Sequence, residues 1–161
     1  MRSKYRIIFV AVVLVLMIFG CGKTSEQTRG ASASEIDYIN YQISEGEKYM
    51  GYLDDYAYLW DKVGTDPMLL FDDAWITDIV VAMLGMEDST FNMFNEPSPS
   101  PRFDWIHLLY GKMYREQVAM NDDTVCAIDY LDDGCMDDAI GHAENIADLL
   151  DDISEEIDRL E

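Results

Sequence analysis

The sequence predicts an all-α fold: an antiparallel up-and-down four-helix bundle that follows an N-terminal signal peptide and a flexible tether. Three observations carry this reading. Two stretches place apolar residues at alternating spacings of three and four, the pattern of a heptad seam. Two more are broadly apolar and bounded by turn signals. Strand-like alternation, glycine-rich phosphate loops and internal repeats do not occur in the chain.

The first helix is expected over 35–63. Ile36, Ile39, Ile43, Gly46, Met50, Leu53, Ala57 and Trp60 form its seam, Ser32 and Glu35 make a capping box, and Gly64 stands where a C-terminal cap belongs. Tyr49, Tyr52 and Tyr56 each precede a seam position, and Tyr38 extends the same flank. They widen the apolar face by about 100°. These tyrosines read either as a seam edge under a neighbouring helix or as a strip that contacts a partner. Tyr38, Tyr49, Tyr52 and Tyr56 are therefore the candidate contact residues.

Asp66 as cap and Pro67 at the first helical position open a second helix running to about Phe94. Its apolar stripes pass through Met68, Phe71, Trp75, Ile79, Ala82 and Met86, and through Leu69, Ile76 and Met83. Pro97, Pro99 and Pro101 cannot share one helix, so NEPSPSP is a break. A third helix opens at Ser100 and Pro101 and carries Ile106, Leu109, Met113, Val118 and Met120 to about Ile128. The fourth, capped by Asp132, repeats the seam at Met136, Ala139, Ala143, Ile146, Leu150, Ile153, Ile157 and Leu160. Helices of this length give a bundle about 40 Å tall.

Ahead of the bundle, Arg2, Lys4 and Arg6 precede the uncharged run from Ile7 to Phe19. That run is shorter than the roughly 20 residues a membrane span needs, but it suits a signal-peptide core. It ends in IFGC. Aliphatic Ile18, small Gly20 and then Cys21 resemble the lipobox of bacterial lipoprotein precursors, with the bulkier Phe19 as the departure from that pattern. The resemblance covers only about the first 22 residues. It implies cleavage before Cys21, lipidation of Cys21, and an extracytoplasmic position anchored to the cell membrane or outer membrane. Residues 1–20 are then the signal peptide, 21–33 the lipidated cysteine and a small, polar linker, and 34–161 the bundle. The linker would reach about 20 Å. The mature part is similar to uncharacterised helical-bundle lipoproteins of bacterial envelopes, a likeness that implies no catalytic residues.

The chain has 32 acidic and 11 basic side chains and a formal charge of −21. All but one of the acids lie from residue 34 onward, against only Lys48, Lys62, Arg102, Lys112, Arg115 and Arg159. Such a field repels nucleic acid and anionic headgroups, so membrane contact is expected through the lipid alone.

Few groups suggest chemistry. Cys126 and Cys135 would lie about 13.5 Å apart on one continuous helix. A turn between them makes a disulfide that staples the last hairpin, which an exported compartment permits. DYLDDG fails as a calcium loop, because Leu131 and Ile140 occupy ligand positions. The histidines His107 and His142 follow Asp104 and Asp138 by three and four residues. Di-metal bundles use a carboxylate-x-x-His motif on two helices, and only Asp104 with His107 has that spacing. Asp104, His107 and His142 are thus weak metal candidates beside a boundary role. Met83, Met86 and Met93 share a face but read as core, and no cofactor is expected. Serines 44, 89 and 154 have no histidine at a suggestive spacing, and no catalytic residue is assigned.

The expected function is that of a membrane-anchored, non-enzymatic helical module acting through an envelope protein partner. The alternative is a bundle that binds a metal or small ligand through His107 and His142.

Overall fold

A computed structural model describes residues 32–160; the expected signal peptide, Cys21 and most of the expected linker lie outside them. The described chain folds into four helices, α1 (Ala33–Thr65), α2 (Asp73–Asn95), α3 (Asp104–Tyr130) and α4 (Asp133–Arg159). Short 3-10 turns at Pro67–Phe71 and Pro101–Phe103 lead into α2 and α3. Among the described residues no helix is long and apolar enough to cross a membrane.

The contacts define an antiparallel up-and-down four-helix bundle. Gln42, Tyr52 and Leu59 on α1 meet Met93, Gly85 and Trp75 on α2, so numbers rise on one helix as they fall on the other. Asn121 meets Met83, and His107 meets Phe94, which makes α3 antiparallel to α2. Cys126 with Cys135 and Glu116 with Asn145 reverse the chain once more. Tyr49 bonds Gln117 and Tyr56 bonds Thr124, both across 68 residues, so α1 and α3 run parallel across the diagonal of the core.

The helix starts differ from expectation in two places. Asp66 caps only the 3-10 turn, and α2 begins at Asp73 because Asp72 turns extended and accepts from the Trp75 amide. Met68 and Phe71, read as core from their spacing, are consequently 68% and 64% exposed. Likewise Ser100 makes no cap bond. Its hydroxyl instead donates to Glu35 Oε1 (2.7 Å).

That bond belongs to a clasp at the end of the bundle where α1 begins. Glu35 forms the capping box with Ser32 and takes two bonds from Arg102, at 2.8 Å to Oε1 and 3.1 Å to Oε2. The Ser100 hydroxyl, the Ser32 amide and the Arg102 guanidinium together hold the Glu35 carboxyl down from 4.5 to about 2. A depressed folded-state value gives stability that is fully present above pH about 4.5 and is lost as the pH falls toward about 2. Glu35→Gln should therefore flatten the acid side of the stability profile in that window. Urea midpoints of the two proteins between pH 5 and 2 check it, and parallel profiles would refute the clasp.

Two glycines permit close helix approach. A Cβ at Gly85 would lie 2.5 Å from the Tyr52 ring, and one at Gly111 would lie 2.9 Å from the Phe94 ring. Gly51, by contrast, has nothing within 4 Å of its added Cβ. Alanine in a helix interior normally exceeds glycine by about 1 kcal/mol. Gly51→Ala should stabilise by about that amount, whereas Gly85→Ala should cost about 1–3 kcal/mol by overpacking. Opposite shifts of the two denaturation midpoints are expected.

Candidate functional site

The tyrosine strip is not a surface. Tyr38, Tyr49 and Tyr56 are 4%, 2% and 5% exposed, and Tyr52 is half-buried with its ring over Gly85. The partner-contact reading of Tyr38, Tyr49, Tyr52 and Tyr56 is thereby corrected. Of the expected seam, Gly46, Met50 and Trp60 are buried, but the fuller inward line of α1 runs one residue earlier, through Glu35, Tyr38, Gln42, Glu45, Tyr49, Tyr56, Leu59 and Val63. Ile39, Leu53 and Ala57 are only half-buried, and Ile43 is exposed. The cause lies in the packing: α1 touches α2 along its length and α3 across the diagonal, so its inward direction is set by both.

Inside the bundle two of these rings, Tyr49 and Tyr56, make buried polar bonds to α3. The Tyr49 hydroxyl donates to Gln117 Oε1 (3.1 Å), Gln117 Nε2 to Asn121 Oδ1 (2.9 Å), and Asn121 Nδ2 to the Met83 carbonyl (3.2 Å) and Glu87 Oε2 (2.9 Å). Tyr56 donates to Thr124 Oγ1 (2.9 Å), because the Thr124 hydroxyl itself donates to the Met120 carbonyl (2.8 Å). Burial pushes the Tyr49, Tyr56 and Tyr110 hydroxyls upward, and that of Tyr38 to about 12. At neutral pH all four are neutral phenols, not phenolates; those of Tyr49 and Tyr56 donate hydrogen bonds, whereas the buried Tyr38 hydroxyl meets no partner among the described residues. Such a network can fix which helix faces which, since a slip by one residue would leave several buried groups without partners.

The two histidines stand apart. His107 stacks on Phe94, with ring centroids 5.4 Å apart and planes at 27°, while Asp104 is exposed. His142 lies against α3 further along, its Nδ1 2.7 Å from Glu116 Oε2 and its Nε2 3.3 Å from Asp123 Oδ2. From His107 to Glu116 is nine residues of helix, about 13.5 Å. One ion bound at about 2 Å from each ligand cannot span that distance. The metal reading of Asp104, His107 and His142 is therefore corrected: antiparallel α4 brings His142 level with the middle of α3, not with its start. Among the described residues no three His, Cys, Asp or Glu side chains converge as a metal site would need.

Sequence spacing within one helix missed the true partners of His142, because Glu116 and Asp123 are seven apart on another helix. Asn145 also donates to Glu116 Oε2 (2.9 Å), and the His142 and Asn145 bonds hold the Glu116 carboxyl below its usual range. A shallow depression of about 340 Å³ opens beside this clamp, lined by Lys112, Arg115, Glu116, Asn145, Asp148 and Leu149. Its two cations stand beside two carboxylates, which leaves little net field to hold a charged ligand.

Above the clamp a disulfide joins Cys126 to Cys135, with Cα atoms 5.8 Å apart, and closes the hairpin from α3 to α4. Helix α3 ends at Leu131 in the left-handed conformation (φ 53°, ψ 40°), and Asp132 caps α4. Opening this bridge with reductant should cost about 2–3 kcal/mol, the loop-closure value for so short a loop. Urea unfolding with and without reductant, alongside a Cys126→Ser/Cys135→Ser variant, measures it.

The remaining unusual feature is exposed apolar surface. Val80, Leu84 and Phe91 are exposed on α2, and Val125 is exposed on α3 with Tyr114 and Val118 half-buried before it. Both rows step by four and then seven residues, so each runs along one face of its helix. The Phe91 and Tyr114 rings meet edge-on at 5.5 Å, which places the rows side by side over the groove between α2 and α3. A second group, Met68, Phe71, Tyr130 and Leu131, is carried by the two hairpin turns. Compared with protein families, curated proteins and solved structures, the chain matches none.

Proposed function

We propose that this chain is a lipid-anchored, extracytoplasmic helical module that works by contact with another protein of the envelope. The observation that carries the contact reading is the apolar row of Val80, Leu84 and Phe91 beside Tyr114, Val118 and Val125, exposed or half-buried on a chain of net charge −21 and interrupted by Glu87, Asp88 and Asp122. Apolar surface bordered by polar residues marks interaction sites. The anchor rests on the basic start, apolar run and IFGC of residues 2–21.

Each half has its own test. In the host cell, Cys21→Ser should abolish incorporation of a fatty-acid label and release the protein from the membrane fraction. Undiminished labelling would overturn the anchor. A benzophenone side chain in place of Leu84 should yield protein cross-links in intact cells, whereas one in place of exposed Glu47 should not. Equal yields from both positions, or none from the first, would overturn contact through the α2–α3 groove.

A further inference from the structure

The antiparallel topology puts both hairpin turns, 66–72 and 131–132, at one end of the bundle. The start of α1, the segment 96–103 and the end of α4 lie at the other. A tether entering at Ser32 therefore leaves the turn end pointing away from the anchor. That end carries the most exposed large apolar side chains of the described residues: Tyr130 at 78%, Met68 at 68% and Phe71 at 64%, with Leu131 at 53%.

Both turns are firmly built. Asp66, Asp72 and Asp132 cap the elements that follow them, Trp75 Nε1 donates to the Leu59 carbonyl (3.1 Å), and the disulfide clamps the second turn. The conformation of Leu131 is one that glycine or asparagine adopts more cheaply. A leucine there, half in solvent, adds little to the fold.

The rim identifies the kind of partner. Exposed Asp66, Asp72 and Asp73 flank Met68 and Phe71 along the chain, exposed Asp129, Asp132 and Asp133 flank Tyr130 and Leu131, and the nearby cation Lys62 lies over the Tyr58 ring at 4.3 Å. An anionic lipid surface and a second copy of this chain both meet like charge there. We infer that the turn end docks Met68, Phe71, Tyr130 and Leu131 into an apolar recess of a protein whose border is lined with lysine and arginine. This rests on the protein-contact reading above and adds a second surface, with a stated partner chemistry, to it. Apolar anchors at the centre and charge at the rim would make the contact specific and its association rate sensitive to salt.

The test uses the full chain in its host, with a benzophenone side chain in place of Tyr130. One cross-linked protein is expected, attached at an apolar residue neighbouring Lys and Arg, with a yield that falls in about 0.5 M salt. Leu131→Gly should cut the yield about tenfold while leaving the melting temperature unchanged or higher, which separates lost docking from lost folding. Absence of a product, attachment to lipid or to a second copy, or a yield indifferent to Leu131→Gly would each overturn the inference. Cross-links from position 84 without any from 130 would overturn it and leave the proposed function standing. Silence at both positions would overturn both.

Discussion

Replacing Trp75 with alanine should lower the unfolding free energy by about 3–5 kcal/mol, the usual cost of truncating a buried tryptophan. Trp75 is buried in the first turn of α2, where it packs edge-on against Trp60 at 5.4 Å and hydrogen-bonds the Leu59 carbonyl. Trp60 in turn meets Tyr56 at 6.3 Å, so one truncation loosens the aromatic stack that joins α1 to α2 below the first hairpin. Trp75→Phe keeps most of the buried area and loses the indole bond, and should cost only about 1 kcal/mol more than the lost area alone. Chemical denaturation at neutral pH measures both. An alanine cost under about 1 kcal/mol would mean that the hairpin is loosely seated.

Gln117→Ala should cost about as much for a different reason. Gln117 is fully buried, accepts from Tyr49 and donates to Asn121. Its removal leaves two buried polar groups short of a partner, at about 1–3 kcal/mol each, and opens a cavity as well. Tyr49→Phe removes one of the same bonds. The two substitutions should then be non-additive by about 0.5–3 kcal/mol in a double-mutant cycle. Additivity within about 0.5 kcal/mol would show that the chain from Tyr49 to Glu87 is not energetically connected.

Much of the bundle was legible in one dimension. The seam of α4 buries Ala139, Ile146, Leu150 and Ile153 as its spacing requires, and Asp132 caps that helix. The capping box of Ser32 and Glu35 likewise forms where the motif stands. These features are local: three-to-four periodicity and cap chemistry depend on neighbours within one or two turns. The candidate site was less legible. The tyrosines of α1 were placed on the right flank, but the choice between edge and core depended on how α1 rotates between α2 and α3. The histidines were paired with carboxylates on their own helices, whereas His142 is held by Glu116 and Asp123 of another. Met68 and Phe71 continued an apolar stripe on paper, yet Asp72 ended the turn that carries them before that stripe could be buried.

Taken alone, then, the amino-acid order determined the all-α class, the four helices and their near boundaries, because backbone hydrogen bonding and caps act over a few residues. It also determined the acidity of the folded part, which is a matter of counting. Only the tertiary structure decided which side of α1 is core, which polar groups satisfy one another, and which apolar side chains are left outside. Those outcomes follow from how four helices share one interior: each inward face is set by the two or three helices it meets, and no single helix encodes its neighbours' positions.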